Sequence, residues 1–241
     1  MLIEYKKANI DQIDGERVLT EADFQVDNGE FVYIIGRVGS GKSSLLKTFY
    51  NELPVTGAEH AVVLGYDMLT LKPSQVPALR RQMVIVFQDF QLLADRTVYR
   101  NLRFVLKATG WKDEAAIDAR ISEVLESVGM NDKKEKMPHE LSGGEQQRIA
   151  IGRAILNHPK LIVADEPMAN LDPITAKGIM LLLREISLSG TAVVMSTHNM
   201  PLLDQYPGIA YECEDGCLKQ VTCRSNDTNM ESNDFEINEK E

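Results

Sequence analysis

Short apolar runs closed by turn residues alternate with stretches of helical periodicity, and the two textures occupy different parts of the chain. Near the N-terminus, Leu2 to Tyr5 and Phe24 to Val26 read as short strands, with Asp27-Asn28-Gly29 as a turn. Phe31 to Ile35 is wholly apolar, the pattern of a strand buried on both faces. A glycine-rich loop follows, then a helix expected from about Lys42 to Asn51 and stopped near Pro54. Ala61 to Leu64 and Met83 to Phe87 are two more buried-type strands, the first leading into a turn at Gly65-Tyr66-Asp67. From about Asp89 to His158 the pattern turns mostly helical. Ile117, Ile121, Val124, Leu125 and Val128 share one helix face, and Gly129 is positioned to close that helix. Strands return at Leu161 to Ala164 and Thr191 to Ser196, around a helix over roughly Thr175 to Leu188. Tyr211 to Val221 reads as a hairpin turning at Asp215-Gly216. The order describes an α/β core carrying a helical insertion.

Composition narrows this picture. With 44% hydrophobic and 26% charged residues, the 241-residue chain has the balance of a globular protein with ample core. A net charge of −10 argues against an electrostatic footprint for nucleic acid. No apolar run approaches the ~20 residues of a membrane span, and Met1 to Tyr5 lacks the basic start of a signal peptide. A cytoplasmic protein is therefore expected, with any membrane role reached through a partner. Cys213, Cys217 and Cys223 follow no zinc spacing, so no metal site is assigned to them. From Thr222 onward Ser, Asn, Asp, Glu and Thr dominate, and 222–241 is expected to be a disordered tail.

The chemistry is concentrated in a few strings. Gly36-Arg37-Val38-Gly39-Ser40-Gly41-Lys42-Ser43, followed by Ser44, joins an apolar run to a helix start. In that context G-x-x-x-x-G-K-S is a phosphate-binding P-loop. The loop's N–H groups and the helix N-terminus would cradle phosphate, Lys42 would reach the β- and γ-phosphates, and Ser43 would ligate Mg²⁺. Leu161 to Ala164 ends in Asp165-Glu166. Paired acids at the end of a buried strand need a cation or partner to offset desolvation. Asp165 is assigned to the Mg²⁺ shell and Glu166 to polarising the attacking water. Leu141-Ser142-Gly143-Gly144-Glu145-Gln146-Gln147-Arg148 puts a hydroxyl and bare backbone N–H groups at another helix start, a second anion site. One nucleotide has no use for both sites. Two chains arranged head to tail do, each Ser142–Gly144 turn closing on the γ-phosphate of the other chain.

These strings, with Gln88, Asn170-Leu171-Asp172 and His198, stand in the order found in ATP-binding-cassette (ABC) ATPases, and the chain resembles that family over about residues 1–221. The resemblance implies a P-loop NTPase of the α/β class. Its RecA-like core with an antiparallel β edge would occupy about 1–88 and 159–221, and its helical sub-domain 89–158. It implies ATP and Mg²⁺ as ligands and an ATP-sandwich homodimer. It further implies that Gln88 senses Mg²⁺ and the γ-phosphate, that Asp172 lies at the dimer seam, and that His198 contacts the γ-phosphate.

Two departures stand out. The family usually stacks adenine on an aromatic residue near the first strand pair, whereas Asp11-Gln12-Ile13-Asp14-Gly15 has none and Tyr5 is expected inside a strand. Weaker base selectivity follows. Before Asp172 stands Pro167-Met168-Ala169-Asn170, where Thr-Gly or Thr-Ser is more common. The stretch Gln88 to Leu102 is most similar to the bacterial cell-division branch of the family. That likeness implies a four-span membrane subunit contacting about Asp89 to Asn101, with Phe90, Leu92, Leu93 and Tyr99 as apolar candidates and Asp89, Asp95, Arg96 and Arg100 as a charged rim. ATP-driven closure at the cytoplasmic face of the membrane would then switch on a peptidoglycan hydrolase outside. A lipoprotein-release or exporter complex is the alternative. A soluble relative in DNA repair or translation would need coiled coils, zinc inserts or a second cassette.

Overall fold

A computed structural model describes residues 1–222. The expected tail thus lies, beyond Thr222, outside the described residues. The chain opens with two long antiparallel strands, β1 (Ile3–Asp11) and β2 (Arg17–Val26), then β3 (Phe31–Ile35) and helix α1 (Lys42–Phe49). Strands β4 (Val55–Gly57), β5 (His60–Val63) and β6 (Tyr66–Asp67) follow, then α2 (Val76–Arg80) and β7 (Met83–Val86). Helices α3 (Val98–Ala108), α4 (Glu114–Ser127) and α5 (Gly143–Ile155) fill the stretch before β8 (Leu161–Asp165). The chain continues with α6 (Pro173–Leu188), β9 (Ala192–Thr197), α7 (Met200–Gln205) and the hairpin β10 (Ile209–Glu214) and β11 (Cys217–Thr222).

Two sheets result. One is antiparallel, in the order β2-β1-β5-β6 with β4 also on β1. The other runs β11-β10-β3-β9-β8-β7 and is parallel apart from the terminal hairpin. The wholly apolar runs are explained by what covers this second sheet. Phe31, Tyr33 and Ile35 of β3, with Ile162, Ala164, Val193 and Met195, face a core shared with α3 to α6. Val32 and Ile34, with Leu161, Val163, Ala192 and Val194, face a core shared with α1 and the antiparallel sheet. Strand alternation therefore sends successive apolar residues into two different cores.

Three expectations change. The first two strands are nine and ten residues long, not short. Lys7 and Glu21 adopt positive φ at register shifts in their pairing, and these bulges break the alternation that would have shown the full length. Tyr66 and Asp67 pair with Val63 and Val62 as a strand, so the turn is Leu64-Gly65. Helix α1 ends at Phe49, because Asn51 turns left-handed and Glu52 and Leu53 both donate to the Lys47 carbonyl. Gly129 lies just past α4 as expected, with Met130 N–H returning to the Leu125 carbonyl.

Candidate functional site

Parallel pairing decides where the site lies. Ile35 of β3 pairs with Thr197 of β9, Asp165 of β8 with Ser196, and Val86 of β7 with Ala164. The P-loop, Asp165-Glu166, His198 and Gln88 therefore all leave the sheet at its carboxyl edge, the edge where α/β folds bind ligands.

The P-loop is tight enough to dictate its glycines. Gly36 has φ 141°, and a Cβ there would stand 2.4 Å from the Cys213 carbonyl oxygen. Gly41, the residue before α1, has φ 102°, and its Cβ would stand 2.6 Å from Val18 Cγ1. No side chain caps α1, so its first N–H groups remain open to an anion. Lys42 is buried, and its Nζ donates to the carbonyls of Gly36 (2.8 Å) and Arg37 (2.9 Å). The ammonium is thus held inside the loop, 3.9 Å from Glu166 Oε1.

Around it runs a chain of polar contacts. Ser43 Oγ donates to Asp165 Oδ1 at 3.1 Å, and Ser196 Oγ donates to the same oxygen at 2.6 Å. Ser196 Oγ in turn accepts the N–H of Glu166 at 2.9 Å. Glu166 Oε2 lies 3.0 Å from His198 Nδ1. Glu166 has φ 47°, a left-handed backbone costing a glutamate roughly 1–3 kcal/mol unless its surroundings fix it. The strained turn re-aims the carboxylate at Lys42 and His198. Ser196 was not singled out from the sequence; the signal was the hydroxyl pair Ser196-Thr197 closing an otherwise apolar central strand.

A cavity of about 990 Å³ extends from the P-loop, Gly36 to Ser44, past His198 and Met200 to Gln12, Glu16, Arg17, Val18 and the Glu212–Gly216 turn. Among the described residues no Phe, Tyr or Trp lines it. Gln12 donates from Nε2 to Ser44 Oγ at 2.9 Å. Tyr5 is wholly buried in β1, its hydroxyl donating to Thr48 Oγ1 and its pKa driven up by burial. It cannot reach the cavity. Cys213 lines the cavity as a buried thiol whose pKa burial pushes up to about 12, which leaves it an inert wall.

Other residues of interest stand apart. Gln88 is exposed and does not line the cavity. Ser142 caps α5: its Oγ accepts the Glu145 N–H at 3.3 Å while Glu145 Oε2 accepts the Ser142 N–H at 2.8 Å. That N–H, with Lys133 at 3.0 Å, holds the Glu145 carboxyl below its usual range. Ser142, Gly143 and Gly144 lie outside the cavity that holds the P-loop. Asp172 caps α6, accepting the N–H groups of Ile174 and Thr175 at 3.1 Å each, and the Thr175 hydroxyl first, with these N–H groups, lowers its pKa. Of the docking candidates, Leu92 and Tyr99 pack on the core, and Phe90 lies against Gly143. Phe104 is half exposed beneath the Arg96 guanidinium, 4.7 Å from its ring centre. Among the described residues no helix is long and apolar enough to cross a membrane.

Comparison with known proteins agrees with this geometry. Residues 19–169 match the family model described as ABC transporter. The chain is 42% identical over 191 residues to the cell division ATP-binding protein FtsE of Streptococcus pneumoniae, covering 79% of this chain and 82% of that one. It is 38% identical over 217 residues to FtsE of Bacillus subtilis, covering 90% and 94%. Among solved structures, cbiO1 of Clostridium perfringens, part of the ABC transporter complex cbiONQ, superposes with a TM-score of 0.84 at 28% identity, over 92% of this chain and 88% of that one. The dimeric ATP-binding cassette MJ0796 bound to ADP and Pi superposes with a TM-score of 0.78 at 28% identity, over 92% and 99%.

Proposed function

The chain belongs to the ABC transporter family as an ATP-hydrolysing member, and on that premise we propose that it is the ATPase subunit of an FtsE–FtsX-type cell-division complex. Gly36 to Ser44 bind the phosphates through the loop amides and the open start of α1. Lys42 exchanges its two loop carbonyls for the β- and γ-phosphate oxygens. Glu166 takes the proton of the attacking water, and His198 holds that carboxylate in place while contacting the γ-phosphate.

The residues fit Mg²⁺. Ser43 Oγ and Asp165 Oδ1 are hard oxygen donors 3.1 Å apart, a spacing that suits neighbouring positions around one small cation. Among the described residues no cluster of three or more His, Cys, Asp or Glu side chains could hold a metal unaided, so the phosphates would supply the remaining charge. Gln88 would join the two protein oxygens once the helical stretch moves toward the P-loop. An ion held by these residues would supply positive charge against that developing on the β- and γ-phosphates.

The single observation carrying this reading is the contact chain Ser43–Asp165–Ser196–Glu166–His198 around a buried lysine. Glu166→Gln is expected to lower turnover by ~10²-fold or more and to accumulate an ATP-bound state. Near-normal hydrolysis by that variant would remove Glu166 as the base.

The cavity lacks the Ser142–Gly144 turn, so a second copy supplies it: two chains hold two ATP molecules head to tail, with each Asp172 at the seam. FtsX, or a subunit like it, docks on about Asp89 to Asn101 and the adjoining Phe104, at the cytoplasmic face of the membrane. ATP binding closes the dimer, and closure moves the membrane subunit and activates a peptidoglycan hydrolase outside. Copurification from native membranes, with and without charge reversal at Asp95 and Arg100, tests the docking. Recovery of a lipoprotein-release permease instead of an FtsX-like subunit would favour the second reading, a release or export complex.

A further inference from the structure

Gln147 is fully buried in the second turn of α5. Its Nε2 donates to the carbonyl of Pro167 at 2.7 Å, the residue directly after Glu166. Its Oε1 is buried and accepts no hydrogen bond among the described residues. Burying an amide that is only half satisfied is unfavourable compared with an apolar side chain of the same size. Packing alone therefore does not account for glutamine at this position, and the bond to Pro167 does.

What that bond holds is the turn carrying Glu166. The left-handed backbone at Glu166 persists only where neighbours fix it. Three contacts do so: Glu166 N–H on Ser196 Oγ, Ala169 N–H on the Glu166 carbonyl at 3.1 Å, and Gln147 on the Pro167 carbonyl. The first comes from β9 and the second from the turn itself. Gln147 alone reaches in from the helix that begins with Ser142–Gly144. The start of that helix is keyed to the same segment: a Cβ on Gly144 would stand 2.3 Å from Thr175 Cγ2, and one on Gly143 would stand 3.6 Å from Leu171 Cδ2. The Ser142–Gly144 turn and the Glu166–Thr175 stretch of one chain thus pack as a unit.

We propose that Gln147 is a positioning residue for Glu166. Its amide fixes the peptide after the base and ties that base to the Ser142–Gly144 turn of the same chain. The proposal rests on the reading of Glu166 as base and of the turn as the cover of the other copy's ATP. On that reading, Gln147 links the carboxylate serving one ATP to the residues that sense the other.

The test uses the full-length chain with Mg·ATP. Gln147→Met keeps the side-chain length, removes the donor and removes the unpaired oxygen. Its turnover per folded molecule is expected to fall ~10- to 100-fold, as a small misplacement of a catalytic group does. ATP affinity by equilibrium binding should stay within about twofold, because no phosphate contact changes. Combined with Glu166→Gln, Gln147→Met should cost nothing more, because it acts through the group already removed. Gln147→Leu gives the same comparison by a second route if the Met variant folds poorly. Unchanged turnover per folded molecule, or a loss that adds to that of Glu166→Gln, overturns the proposal. The two readings fail separately. An active Glu166→Gln variant refutes the base itself. An inactive Glu166→Gln beside a fully active Gln147→Met refutes only the positioning role.

Discussion

Gln12 stands where the cavity has to receive whatever the phosphates carry. The P-loop fixes one end of a nucleotide, and the far wall is Gln12, Arg17 and Val18. None offers an aromatic face, and base–aromatic stacking is worth ~1–3 kcal/mol. Gln12 is moreover engaged with Ser44. ATP and GTP should therefore compete within about tenfold of each other, and Gln12→Tyr should tighten ATP binding by ~1–3 kcal/mol. Equilibrium competition checks both, and a strong ATP preference at micromolar affinity in the native chain contradicts the first. The same scale shows what the sequence conveyed. Lys42, Ser43, Asp165 and Glu166 could be singled out because each belongs to a string whose chemistry is local, and His198 only through the family resemblance. Ser196 and the Gln12–Ser44 contact could not, because they arise from strand register and from the path of β1 across α1, which no local spacing encodes.

At the level of elements, α5 is held at its start by a reciprocal cap. Ser142 accepts from Glu145, and Glu145 accepts from Ser142. The Glu145 carboxyl lies below its usual value of 4.5 because the Ser142 N–H and Lys133 favour its charged form. A carboxyl depressed in the folded state binds fewer protons there than in the unfolded chain, so stability rises with pH across the interval between the two values. The contribution is complete above about pH 4.5 and is lost as pH falls through the folded value. Glu145→Gln should therefore flatten the acid limb of thermal stability measured between about pH 3 and 5, and an unchanged slope would contradict the assignment. Helix α4 was readable from its periodicity and closing glycine, and α6 to within two residues of its start, whereas α5, expected over Ile149 to Leu156, begins at Gly143 because Ser142 and Glu145 cap it there. The lengths of β1 and β2 were not, because Lys7 and Glu21 interrupt the alternation with bulges that only the paired strands reveal. Helix α2, five residues long, is too short to show a period.

For the whole molecule, the proposed function makes one copy an incomplete site. The cavity holds the P-loop and His198, while Ser142 to Gly144 lie outside it. The doubly covered sheet and the helical stretch could be read from apolar runs and periodicity. The expectation of a second copy came from two anion-binding helix starts in one chain and from the family resemblance. Ser142→Asp separates the two roles of that turn. Aspartate caps a helix as well as serine does, so α5 should remain folded, while its carboxylate would repel a γ-phosphate presented by the other copy. Light scattering of the Glu166→Gln chain in Mg·ATP is the most direct measurement. The account predicts a particle of twice the 27.0 kDa chain mass that reverts to one chain when Ser142→Asp is added. A Glu166→Gln chain that binds ATP yet stays at single-chain mass, or a dimer indifferent to Ser142→Asp, would contradict it.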